Sequence, residues 1–496
     1  GAPRAASARR IGVTRSLPAW FDDAKLGVFL HWGLYSVPAW APRVPDIQTT
    51  LVERGPRYLL ANNPYAEWYL NTMAIPGSPT AVHHSDVWGG APYPRFREPF
   101  ESASAEADLG ALADLCRRAG ARYVVLTTKH HEGYCLWPTG VAHPTMGAYH
   151  SPRDLVGDLG AEVRAAGMRM GLYYSTGYDW PVNGVLMDRA ASALLAVPRT
   201  PEYAHYVDTH WRELIDRYRP SILWSDIGAP ADLDLESLFA HYRSAVPEGV
   251  VNDRWVQGRL PGGRAGEWAL RAVLAGVEAA WRFLPRGWKS LKPASHPAGD
   301  FTTPEYASPD GIPDRKWEAT RGVGHSFGAN HNEPPEDIIS ATELIRMLVD
   351  VVARNGNLLI GVGPGPDGVV PAVQAAPLEG LGRWLEVNGE AIYGTRPWSV
   401  PAAHTSEGTP VRFTRKGENL WAVVMEMPPG RTFTLRGVAV DPVPAASSFE
   451  VVLEATGQRL EHRVEAGELT VTLPRDIEPT AAVALRLPVG AATPSG

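Results

Sequence analysis

Apolar and polar positions in the first half of the chain follow two alternating periods. Residues 105–120 carry Leu109, Leu112, Leu115 and Cys116 at helical spacing; Gly120 stops the pattern and 122–127 follows as a strand-forming run. Residues 154–167 repeat the helix with Leu155, Leu159 and Val163 on one face, and 168–174 is its strand. A third helix is predicted over 203–218, with Tyr203, Val207, Trp211, Leu214 and Ile215 on one stripe; Pro220 ends it, and Ser221-Ile222-Leu223-Trp224-Ser225-Asp226 reads as the next strand. Residues 25–31, 249–252 and 357–360 supply further strands.

Helix, Gly or Pro, buried strand, then polar loop is the repeat of parallel βα units. No Gly-x-Gly-x-x-Gly follows the early strands, which argues against a dinucleotide-binding sheet. The predicted fold class is α/β: an irregular, TIM-like (β/α)8-type barrel over residues 1–400. Two stretches, 181–199 and 257–298, interrupt it after strands, where loops shape binding sites. The second holds Trp268, Trp281, Phe283 and Trp288, and reads as a helical subdomain packing on itself or as a lid. After Pro401 the pattern becomes short strands at 411–414, 419–424, 432–435, 449–453, 469–473 and 482–485. That is a C-terminal antiparallel β-sandwich over 401–496, without a cluster of titratable groups and with a structural role.

At 496 residues the chain has room for two or three domains. The 47 basic and 54 acidic residues are interspersed and leave a net charge of −7, so neither a nucleic-acid nor a membrane partner is indicated. No apolar stretch reaches the ~18 residues of a membrane span. Cys116 and Cys135 are too few for a disulfide framework or a cysteine zinc site; two buried thiols, or one bridge between them, are the options. Gly1 reads as the start of a processed or trimmed chain, and 2–10 lacks the apolar core of a signal peptide. The compartment stays open, a secreted mature form included.

The chemistry gathers at strand ends. They offer His31-Trp32-Gly33, Lys129-His130-His131-Glu132, Tyr173-Tyr174-Ser175, Trp224-Ser225-Asp226 and Asn252-Asp253-Arg254, with Glu67-Trp68-Tyr69, Thr303-Pro304-Glu305 and Lys316-Trp317-Glu318 elsewhere. In a regular strand His130 and His131 would face opposite sides, so both reach one pocket only if the strand has ended or bulges there. Three classes fit such a rim. A metal hydrolase would use the histidines with Asp226, although Lys-His-His-Glu lacks the usual ligand spacing. A glycosidase needs a carboxylate pair, hydroxyl-binding groups and aromatic surfaces, all present here. A non-catalytic sugar-binding protein needs the same groups without the carboxylate pair.

At these residues the chain resembles the retaining α-L-fucosidases of glycoside hydrolase family 29, from Trp20 to about Trp398. The motifs, in order, are 20–33 (Trp-Phe-Asp-Asp-Ala-Lys-Leu-Gly-Val-Phe-Leu-His-Trp-Gly), Glu67-Trp68-Tyr69, 128–133, 171–175, Leu223-Trp224-Ser225-Asp226, 251–255, 355–359 with Gly363-Pro364, and 384–393. The resemblance implies a barrel followed by a β-sandwich, removal of terminal α-L-fucose from a glycan or glycoconjugate, and no metal or cofactor. It implies Asp226 as nucleophile and Glu305 as acid/base, with Glu318 the alternative. It implies His31, Glu67, Trp68, His130, His131, Tyr173, Trp224 and Arg254 as substrate-binding residues, and Trp317 and Phe327 are further candidates for that role. A homo-oligomer stays open. The chain departs from the family pattern at 325–330 (usually Ser-Trp-Gly-Tyr), at 359–364 (usually Leu-Leu-Asn-Ile-Gly-Pro), and in the longer insertion after Trp255. These departures keep alive a same-fold glycosidase for another deoxysugar or a galactose-like glycoside.

Overall fold

The computed structural model describes residues 15–44, 47–258, 263–289, 295–428, 430–440, 449–488 and 492–494. Seven parallel strands form the barrel: β1 (Leu26–Leu30), β2 (Tyr123–Lys129), β3 (Arg169–Ser175), β4 (Ile222–Asp226), β5 (Val250–Val251), β6 (Trp317–Gly322) and β7 (Gly356–Val362). They run in the order β5-β4-β3-β2-β1-β7-β6. An extended segment, 300–306, fills the gap between β5 and β6. Asp300 N–H donates to the Val251 carbonyl at 2.7 Å on one side. On the other, Glu318 and Thr320 N–H donate to the carbonyls of Thr302 and Pro304 at 2.8 and 3.1 Å. With this eighth stave the wall closes in chain order, and the expected irregularity lies there.

Strand residues alternate between two cores, as a pleated wall requires. Phe29, Tyr123, Val125, Tyr173, Ile222, Trp224 and Leu359 fill the barrel with Phe301. Val28, Leu30, Val124, Leu126, Leu172, Leu223, Leu358 and Ile360 pack outward against the helices. Position 27 shares the inward face with Phe29 and must be glycine, because a Cβ there would lie 2.2 Å from the Tyr123 ring. The helices start where side chains cap them: Asp108 for Leu109–Arg118, Asp154 for Leu155–Ala165 and Thr200 for Pro201–Tyr218. The pattern at 105–120 therefore holds a later start than expected, since a separate helix, Arg97–Ala105, precedes it. Cys116 and Cys135 are buried and free.

The C-terminal strands are β8 (Arg396–His404), β9 (Pro410–Lys416), β10 (Asn419–Val424), β11 (Thr432–Val440), β12 (Val452–Leu453), β13 (Gln458–Arg459), β14 (Glu461–Glu465), β15 (Glu468–Thr472), β16 (Val483–Pro488) and β17 (Ala492–Pro494). They form a six-stranded sheet, β13-β12-β16-β10-β9-β8, over a four-stranded one, β14-β15-β11-β17. The sandwich thus starts at β8, ahead of Pro401. Leu420, Ala422, Val424 and Leu485 meet Phe433, Leu435 and Val471 inside it. The opposite face of the larger sheet, with Trp421, Val423, Ala482 and Ala484, belongs to the barrel's outer core.

Residues 1–14, with the 2–10 segment, lie outside the described set, as do 259–262, 290–294 and the Trp288 side chain of the insertion. The described part of that insertion is a helix, Gly263–Ala279, followed by short turns. It touches neighbouring segments of the chain. Trp281 Nε1 donates to the Leu51 carbonyl at 2.9 Å, and Glu278 accepts from Ala190 N–H at 2.5 Å.

Candidate active site at the carboxyl mouth of the barrel

On β4 the inward positions are Ile222, Trp224 and then Asp226, so the strand's last residue reaches the mouth with an aromatic floor below it. Three donors converge on the Asp226 carboxylate: Tyr173 O–H on Oδ2 at 3.0 Å, and Arg254 Nη1 and the Ile227 N–H on Oδ1, each at 2.9 Å. Arg254 follows β5, is buried, and also donates from Nη1 to Glu305 Oε1 at 2.5 Å. Thr303 fixes the rest of its guanidinium, accepting from Nε on Oγ1 and from Nη2 on its carbonyl, both at 2.9 Å. Asp253 in turn holds Thr303 through its N–H and hydroxyl. The guanidinium lies 4.8 Å from the Trp224 ring centroid, and Trp224 stacks on Tyr173 at 5.6 Å. Burial opposes the charge on Arg254, but Glu305 and Asp226 outweigh it and hold its pKa above the ordinary value. The Asp226 side chain is 12% exposed and that of Glu305 31%, so the second carboxyl opens more to the mouth.

Glu318 occupies a different layer. It is fully buried inside the barrel, where Oε1 accepts from Trp224 Nε1 at 3.0 Å and Oε2 from the Tyr123 hydroxyl at 2.5 Å. Burial pushes its pKa up to about 7, against the lowering effect of those two bonds. Trp317, one residue earlier on β6, faces the outer core and donates from Nε1 to the Arg354 carbonyl at 2.8 Å. The structure does not bring it to the mouth.

The histidine pair meets the expected condition. β2 slips register between Thr127 and Lys129 and ends there, so His130 and His131 both follow the strand. Their rings lie 3.9 Å apart. His130 stacks on Tyr173 at 5.7 Å, while His131 Nδ1 meets Ser175 Oγ at 2.6 Å. Burial, then the neighbouring His130, holds the pKa of His131 well below the ordinary histidine value; His31 is depressed for the same two reasons. Both rings are therefore neutral at pH 7. Glu67 lies behind them, buried, and accepts from Gly328 N–H at 2.9 Å; burial raises its pKa. Trp68 stands edge-on to His131 at 5.6 Å.

Two departures from the family pattern meet in space. Phe327 is buried 4.8 Å from His31 and 5.5 Å from Tyr65, centroid to centroid. A Cβ at Gly361 would lie 2.8 Å from its Cδ1, so the missing side chain on β7 is the space its ring uses. Of the residues read from sequence, His31, Glu67, Trp68, His130, His131, Tyr173, Trp224, Asp226, Arg254, Glu305 and Phe327 come together; Trp317 and Glu318 lie elsewhere. Thr303, Asp253, Tyr65 and Ile227 were given no role. Thr303 and Asp253 flank named residues, whereas Ile227 acts through its backbone, which leaves no mark on residue type.

A family model described as alpha-L-fucosidase matches residues 6–269 and 287–390. The chain belongs to the α-L-fucosidase family. The break in the match falls inside the aromatic insertion. Tissue alpha-L-fucosidase of Bos taurus is 30% identical over 437 residues, covering 84% of this chain and 76% of the bovine protein. The human protein of the same name is 29% identical over 439 residues, covering 84% and 77%. The crystal structure of Thermotoga maritima alpha-fucosidase in complex with a mechanism-based inhibitor is similar at a TM-score of 0.77 and 38% identity, over 95% of this chain and 96% of that one. As a member of the α-L-fucosidase family the protein is a glycoside hydrolase with a barrel and a sandwich.

Proposed function

We propose that the protein removes terminal α-L-fucose from fucosylated glycans with retention of configuration, Asp226 acting as nucleophile and Glu305 as acid/base. The observation that carries this is Arg254 Nη1 bonded to both carboxylates, at 2.9 and 2.5 Å. Two oxygens sharing one nitrogen are no farther apart than those bonds laid end to end. That suits the ~5–5.5 Å of retaining enzymes and leaves little room for the ~6.5–9.5 Å of inverting ones. Asp226 attacks the anomeric carbon while Glu305 protonates the departing oxygen; Glu305 then takes a proton from the water that releases the sugar. Arg254 and Tyr173 hold the nucleophile oxygens in place. The neutral imidazoles of His31 and His131 can each donate and accept toward sugar hydroxyls. The ring faces of Phe327 and Phe29, beside that of Tyr65, suit a methyl group, which a 6-deoxysugar has and galactose lacks. Glu318, with both oxygens engaged under Trp224, serves as an anchor.

Hydrolysis of a nitrophenyl α-L-fucoside and of a natural fucosyl glycan by wild type, Asp226→Gly and Glu305→Ala tests the assignment. Asp226→Gly is expected to lose roughly 10³-fold or more in kcat on both substrates. Glu305→Ala should lose roughly 10²–10⁴-fold on the glycan and much less on the nitrophenyl substrate, whose leaving group needs no proton. Equal losses for Glu305→Ala on both would move the acid/base elsewhere, and near-normal turnover by Asp226→Gly would remove the nucleophile.

A further inference from the structure

The link leaving β4 holds a non-glycine residue in a sparsely populated backbone conformation. Ile227 sits in the left-handed region at φ 61°, where a β-branched residue is a rarity. The peptide before it is held at both ends. Its N–H donates to Asp226 Oδ1 at 2.9 Å, and its carbonyl accepts from Gly177 N–H at 3.1 Å. One residue on, Gly228 N–H donates to the Arg254 carbonyl at 3.1 Å, and Ala229 N–H to that of Val256 at 3.0 Å. With the peptide fixed, the left-handed turn carries the chain from Asp226 across to the backbone of Arg254. The two residues whose side chains share a hydrogen bond are thus also tied through their main chains. Gly177 is pressed against the same spot, since a Cβ there would lie 2.3 Å from the Ile227 carbonyl oxygen. The Ile227 side chain packs with Trp68 against the cluster of Tyr178, Trp180 and Met187, which gives the strained residue its anchorage.

We propose that Ile227 is a positioning residue, its left-handed backbone setting the Asp226 carboxylate in register with Arg254 and hence with Glu305. This rests on Asp226 being the nucleophile. The test is nitrophenyl α-L-fucoside kinetics, per folded molecule, for Ile227→Asn, Ile227→Pro, Gly177→Ala and Asp226→Gly. Asn visits the left-handed region readily and should keep kcat within about threefold. Pro has neither the N–H nor access to positive φ, so kcat should fall about 100-fold while KM stays within about threefold. Should the proline variant fail to fold, Gly177→Ala presses on the adjoining Ile227–Gly228 peptide, displacing the same left-handed link, and should lower kcat about tenfold at nearly constant KM. A purely structural role would lower the melting temperature and leave kcat per folded molecule unchanged. Wild-type kcat in Gly177→Ala or in a folded Ile227→Pro, or a loss in Ile227→Asn as large as in Ile227→Pro, overturns the positioning role. If Asp226→Gly itself keeps full turnover, the nucleophile assignment falls and the positioning role with it.

Discussion

At the scale of single residues, the site separates two glutamates that composition and motif could not. Glu305 shares a guanidinium with Asp226 and keeps partial access to solvent, whereas Glu318 has no free oxygen. A carboxyl whose folded pKa stands at about 7, against an ordinary 4.5, holds its proton more tightly in the folded chain. Its contribution to stability is complete below pH 4.5 and is lost as pH rises through about 7, amounting to about 3 kcal/mol at most. Glu318→Gln keeps an acceptor for Trp224 and has no charge to bury. Urea unfolding from pH 4 to 8 should therefore show a flatter profile than wild type, with kcat within about tenfold of it. An unchanged profile would contradict the burial of this charge, and loss of turnover matching Glu305→Ala would restore Glu318 as a catalytic candidate. The place of Asp226 at a strand end was legible because a β-type run closes on a carboxylate before Gly228 and Pro230. The layer that Glu318 occupies was not, because inward and outward facing at one strand depends on register.

At the scale of elements, the apolar strands were readable and the polar stave was not. β6 turns Glu318 and Thr320 inward, so it lacks the continuous apolar run by which β2 to β4 announce themselves. The 300–306 segment contains Pro304 and pairs irregularly, so it reads as loop. β8 holds Pro397 and Pro401, tolerated because it is an edge strand that slips register between Pro397 and Ala402. The loop carrying Phe327 and the bare Gly361 on β7 act as one unit. Gly361→Ala should push the Phe327 ring toward His31, lowering kcat/KM for the fucoside about tenfold while narrowing its preference over the matching β-D-galactoside. If fucoside kinetics and that preference both stay at wild-type values, Phe327 has no part in recognising the sugar.

At the scale of the whole molecule, the sandwich is part of the barrel's support. Arg412 on β9 bonds Asp350 of the helix Ala341–Ala353 at 2.5 Å, and Trp384 Nε1 donates to the Ala482 carbonyl at 3.1 Å. One sheet face completes the barrel's outer core, so the two units should unfold in a single transition. Asp350→Ala removes a partner from a mostly buried pair and should cost about 1–3 kcal/mol in urea unfolding, with kcat/KM within about twofold of wild type. Two separate transitions in wild type would show that the shared core does not couple the units. Proton NMR of fucose as wild type releases it reads the stereochemistry of the reaction at the assembled site. Double displacement at Asp226 with Glu305 as acid/base requires the α anomer to appear first, with the β anomer growing in only by mutarotation. The β anomer appearing first would exclude double displacement at Asp226, whatever the rates of the variants.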